Sequence, residues 1–119
     1  MAASRDLAEA LADYQQRCNE NARLRRMLRN WDRVVHLAAT DNDVRFTMTI
    51  VDTRIASIAE GLAGTPDLVV HASSEDFCNM FWGDLNPAEK YLNGDIRLQG
   101  SAEDVMRIDA MSMVMFLNE

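Results

Sequence analysis

The chain has 119 residues, 48% of them hydrophobic, enough for one domain that buries roughly two thirds of the surface its unfolded form exposes. Its 12 basic and 19 acidic side chains leave a net charge of −7, with residues 1–60 balanced at 9 and 9 and residues 61–119 carrying 3 and 10. Such an acidic surface argues against nucleic acid as a partner, and the lack of any run near ~18 apolar residues argues against stable membrane insertion.

Taken in chain order, Leu7, Leu11, Tyr14 and Cys18 fall at helical spacing and predict a helix capped by Ser4. The opening residues lack the apolar core of a secretory signal. The stripe loses phase at Asn19-Glu20-Asn21, which predicts a break into two helices, with Leu24, Met27, Leu28 and Trp31 facing elsewhere. Period-2 patterning then predicts strands over 33–39, 44–51, 55–59, 67–73 and 95–99. In the second of these, Val44, Phe46, Met48 and Ile50 alternate with Arg45, Thr47 and Thr49, as a sheet with one covered and one wet face requires.

Ser73 and Asp76 form a capping box for a helix that Gly83 ends, and Asn86-Pro87-Ala88-Glu89 opens a second helix ended by Gly94. Ser101-Ala102-Glu103-Asp104 starts the last helix. With two helices between them, the strands at 67–73 and 95–99 are expected to be parallel, joined by a crossover, the rest forming a meander. No repeat, linker or low-complexity tract interrupts the chain. The expectation is one domain over residues 1–119, of α+β class, with a five-stranded mixed sheet covered on one face by helices.

Pro66-Asp67-Leu68, Ser74-Glu75-Asp76-Phe77, Gly83, Leu85-Asn86-Pro87, Tyr91, Gly94 and Gly100 stand in the order and spacing of a known pattern. Together with the element order, they make nearly the whole chain resemble the sterol carrier protein type 2 family. The resemblance implies a non-enzymatic carrier that binds an apolar molecule such as a sterol, fatty acid or acyl-CoA between sheet and helices. An accessory role, presenting an isoprenoid or steroid substrate to a partner enzyme, is the alternative. The chain departs from the family pattern at Lys90, where a small residue is usual, and at Asp95, where Lys is usual. Asp52-Thr53 replaces an Asp-Gly turn, so a different hairpin geometry is expected.

Within that frame the final helix, with Met106, Met111, Met115 and Phe116, is apolar nearly all round. It reads as packed on the sheet, as a wall that closes a cavity, or as a homodimer seam, since unbranched Met side chains repack around different guests. Phe77 and Phe81 have the spacing of core residues; as a cavity wall they would face Phe46, Met48 and Ile50, with Trp82 at the rim. These ten residues are the candidate ligand-binding set, around a pocket whose volume at the low end for ligand sites is ~300 Å³.

No catalytic residue and no cofactor is expected, because GxSxG, a Gly-rich phosphate loop and a Cys/His dyad at recognisable spacing are all missing. His36 and His71 fall on strands the family places side by side, but no third ligand stands at metal spacing, so no metal site is expected. Arg23, Arg25, Arg26, Arg29 and Arg33 form a basic cluster, read as a solvated helix face or as a dock for an anionic group. Unpaired Cys18 and Cys78 suit a reducing cytoplasm, and the ending Phe116-Leu117-Asn118-Glu119 is no peroxisomal address. Arginine used almost to the exclusion of lysine suggests a bacterial source.

Overall fold

A computed structural model describes residues 4–117; the first three residues and Asn118 and Glu119, where the address reading falls, lie outside the described part. Helices α1 (Ser4–Glu20) and α2 (Ala22–Met27) precede strands β1 (Arg33–Ala39), β2 (Arg45–Val51), β3 (Arg54–Glu60) and β4 (Leu68–Ala72). Helices α3 (Ser74–Trp82) and α4 (Pro87–Leu92), strand β5 (Arg97–Gly100) and helix α5 (Ala102–Leu117) complete the order. The predicted elements are all present, and the predicted caps at Ser73, Asn86 and Gly83 close as expected. Ser73 accepts the Asp76 N–H, Asn86 accepts the Ala88 N–H, and Gly83 takes φ +87°.

The stripe of Leu7, Leu11, Tyr14 and Cys18 is buried along α1. The break after it has two causes. Asn21 caps α2, its side-chain oxygen accepting the Leu24 N–H at 3.0 Å. Asn19 meanwhile pairs with both backbone groups of Ile55, donating to the carbonyl at 3.0 Å and accepting the N–H at 2.9 Å. Because β3 is an edge strand, this amide occupies groups that would otherwise template a foreign strand.

The five strands run in the order β3-β2-β1-β4-β5. Register places Leu37 between Phe46 and Val70, and Val35 between Met48 and Leu68, so the central strands present one apolar layer to the helices. The sheet is mixed, but its parallel pair is β1–β4, not the pair expected from the crossover. β4 and β5 are antiparallel, with Arg97 opposite His71 near the end of β4. The expectation of a parallel pair there is therefore corrected. A single helix would return the chain to the start of β4; a second helix, set off by the turn after Gly83, reverses it again, so β5 enters beside the end of β4.

The outer face is only partly wet. The segment after β3 folds over it, with Thr47 Oγ1 donating to the Gly61 carbonyl at 2.7 Å and accepting the Ala63 N–H at 3.0 Å. His36 Nε2 lies 3.0 Å from the Ala63 carbonyl oxygen, and both His36 and Thr47 are buried.

The β2–β3 turn keeps the conformation that glycine would favour: Asp52 and Thr53 take φ of +56° and +64°. A β-branched residue is disfavoured in the left-handed region by about 1–2 kcal/mol. Thr53→Gly is therefore expected to raise stability by about 0.5–1 kcal/mol after the entropy cost of glycine, a gain of a few degrees in thermal melting.

Candidate functional site

The short helices, the last strand and α5 enclose an apolar cavity at the β4–β5 side of the sheet. Val70 of β4 forms its floor together with Ile96 and Leu98, at the entrance to and within β5. Met80 of α3, Pro87 and Tyr91 of α4 and Ile108 of α5 form its walls. Two polar residues reach it, Asp109 and Ser112, both from α5. The volume is about 30 Å³, room for roughly one water, so the helices lie closed on the sheet.

Closure follows from physics. An empty cavity of ~300 Å³ would forfeit about 7 kcal/mol at ~24 cal/mol per Å³, comparable to the stability of a whole small domain, so helices that can settle onto the sheet do so. The least supported wall is α4. Helix α4 has six residues, too few to be stable alone, and Leu92 at its end is 83% exposed. Lys90 ties it down, with Nζ 3.5 Å from Asp76 Oδ1 on α3 and 3.8 Å from Asp95 Oδ2 before β5. Lys90 and Asp95, the two departures from the family pattern in this stretch, are thus each other's partners.

The far end of α5 is anchored more firmly. Trp31 Nε1 donates to Asp104 Oδ1 at 2.8 Å, and Arg33 Nε reaches both carboxylate oxygens at 3.1 and 3.0 Å. The Arg33 and Arg107 guanidiniums each lie 5.4 Å from the Trp31 ring, and Arg107 also donates to the Met27 carbonyl. Burial pushes the Asp104 carboxyl up, but the hydrogen bonds from Arg33 and Trp31 outweigh it and hold the group below its ordinary value.

The ten residues picked from the sequence fall into separate places. Phe46, Met48 and Ile50 are buried on β2, which β1 separates from the cavity floor on β4. Phe77 and Phe81 stack in the core with centroids 5.9 Å apart, and Phe81 meets Tyr14 edge-on at 4.9 Å. Met111 and Met115 are buried on α5, and Phe116 is half-buried. Trp82 is 44% and Met106 71% exposed, the latter on the outer side of α5 beside Met27 and Arg107. None of the ten borders the closed cavity. The residues that do carry a weak signal: Val70 and Leu98 sit on the covered face by period 2, and Ile108 and Ser112 share a helix face at i, i+4.

The remaining polar candidates sort by partner. His36 and His71 share the outer sheet face, but His71 Nε2 lies 3.0 Å from Gln99 Oε1 and His36 faces Ala63. Among the described residues no three His, Cys, Asp or Glu side chains gather as a metal site would require. Of the basic cluster, Arg25, Arg26 and Arg29 border a shallow depression with Thr53, whereas Arg33 is drawn to Asp104. Burial pushes the Tyr14 phenol well up, and the Cys18 thiol beside it to about 12. No described helix is long and apolar enough to cross a membrane.

No curated protein sequence matches the chain. Among solved structures, a crystal structure of sterol carrier protein 2 superposes with TM-score 0.67 at 14% identity, over 91% of this chain and 94% of that one. The sterol carrier protein domain 2 of Helicoverpa armigera gives 0.66 at 16% identity, over 92% and 86%. A structure titled UbiJ-SCP2 ubiquinone synthesis protein gives 0.64 at 11%, over 87% and 84%. At these identities the likeness is one of fold. The sequence profile of the SCP-2 sterol transfer family, however, matches residues 11–112, and the chain belongs to that family.

Proposed function

We propose that the protein is a non-enzymatic carrier that takes an apolar molecule, a sterol or acyl chain, between α4, α5 and the β4–β5 side of the sheet. The observation that supports this most is the cavity itself, apolar in all but two of its lining residues and roofed by a six-residue helix. Family membership points the same way. Lifting α4 and shifting α5 would extend the wall inward along the same helices, to Phe77 and Phe81 on α3 and Met111 and Met115 on α5. The free, buried thiols of Cys18 and Cys78 suit a reducing cytoplasm.

The test is ligand-dependent stabilisation of lipid-stripped protein. A ligand at 100 times its dissociation constant adds ~2.7 kcal/mol, which for a domain of this size raises the melting midpoint by roughly ten degrees. Cholesterol, palmitoyl-CoA, a quinone and a bile acid form the first panel. If none moves the midpoint by a degree and organic extracts of native protein contain no lipid, the carrier reading fails. A second reading, presentation of the ligand to a partner enzyme, is favoured by the fold shared with the protein titled for ubiquinone synthesis. Stoichiometric co-purification with an enzyme, lost when the exposed face of α5 is changed at Met106, would favour it over free transport.

A further inference from the structure

We infer that the outer face of α5 is the seam of a parallel homodimer, in which a second copy of this chain lays its own α5 alongside in register. Glu103, Met106, Ala110, Met113 and Leu117 follow one another at steps of three and four, the spacing of a two-helix seam. They lie on the side of the helix opposite Asp104, Ile108, Met111 and Met115, which are buried in the fold. Met106 is 71% and Leu117 54% exposed, Ala110 is exposed and Met113 half-buried. An apolar stripe at this spacing, on a helix whose other face already fills the core, marks a helix–helix interface. Ala110 at its middle lets two backbones approach closely.

Charge selects the occupant and its direction. On one flank of the stripe stands Arg107, whose guanidinium bonds the Met27 carbonyl, with Arg23 one turn before Met27 on α2. On the other flank stands Asp109, a half-buried carboxylate on the α4 side that makes no ion pair among the described residues. The two flanks are therefore of opposite sign. A two-fold axis along the helices brings the positive flank of one copy against the negative flank of the other, on both sides of the seam. An axis across the helices brings like against like, which costs affinity. The parallel pair thus gives Asp109 the arginines that its own chain does not. It also sets Glu103 against Glu103 of the second copy, but at the end of the seam, where both side chains can turn to water. From Met106 to Leu117 the stripe runs only about 17 Å at ~1.5 Å per residue, so the contact is smaller than a standard interface and its dissociation constant is expected on the order of 10 μM.

The experiment is sedimentation equilibrium of the purified protein over about 1–500 μM, joined to cysteine cross-linking. The native protein should pass from monomer to dimer across that range. Met106→Asp, at a site open to water in the single chain, should weaken the dimer at least 20-fold with the circular-dichroism spectrum unchanged. Asp109→Arg should weaken it at least 5-fold, and adding Arg23→Asp, which exchanges charge between the flanks, should tighten the dimer at least 3-fold relative to Asp109→Arg alone. Met113→Cys should cross-link to itself under mild oxidation with diamide, because parallel helices in register set residue 113 against residue 113. Native protein, whose Cys18 and Cys78 are buried, should not. In an antiparallel pair centred on Ala110, residue 113 instead meets residue 106, so cross-links found only between Met106→Cys and Met113→Cys chains overturn the parallel arrangement. Protein that stays monomeric to the top of the range, or a dimer that Met106→Asp does not weaken, overturns the inference and leaves this face to a different partner. The carrier reading is tested by the lipid panel, and neither result decides the other.

Discussion

Phe77→Ala is expected to cost about 4 kcal/mol of stability and to lower the melting midpoint by more than ten degrees. The side chain is fully buried, its ring parallel to Phe81 within 4°, and Phe81 in turn abuts Tyr14 of α1. Truncation removes the ring stacked on Phe81, the residue that abuts α1, and leaves a cavity that rigid neighbours refill poorly. Denaturant unfolding gives the value directly, and Phe77→Leu should recover more than half of it. The same variant tests the side chain's part in binding. If ligand affinity also falls at temperatures where the variant is folded, Phe77 belongs to the wall of the opened cavity.

The cluster around Tyr14 also sets an alkaline limit. Burial raises the Cys18 thiol from an ordinary 9.0 to about 12, so the native state resists ionisation that the unfolded chain undergoes freely. A group raised in this way contributes its full stability below pH 9 and loses it as pH climbs toward 12, roughly 4 kcal/mol across that window. Cys18→Ala should flatten the alkaline branch of the stability curve.

Asp104→Ala is expected to cost about 3 kcal/mol, although only one small side chain changes. The loss falls mainly on Trp31, whose indole N–H is left without a partner in a site 2% exposed, whereas Arg33 can turn partly to water. Asp104→Asn keeps an acceptor for Trp31 and should cost about half as much. Acid acts on the same group. Its carboxyl is held below the ordinary 3.8, so its stabilisation is complete above that pH and lost as pH falls through the lower folded value. The acid branch of unfolding should therefore be flatter in the alanine variant, a difference that appears in melts as pH falls below the ordinary carboxylate value.

Local chemistry determined much of this protein directly. The strands follow from period-2 patterning and the caps at Ser73, Asn86 and Ser101 from side chains that contact residues within three positions, and such signals are legible in one dimension. The motif around Leu85-Asn86-Pro87 carried the family in the same way. The direction of β5 was not legible, because it depends on how many times the path between β4 and β5 reverses in space. Nor were the partners of Asp104. Trp31 and Arg33 stand more than 70 residues from Asp104, and their meeting depends on where α5 crosses the sheet. The cavity is the same case. Its lining comes from five elements, each of which looks like ordinary core by itself; that they meet at a nearly closed space is a property of packing, which periodicity does not encode.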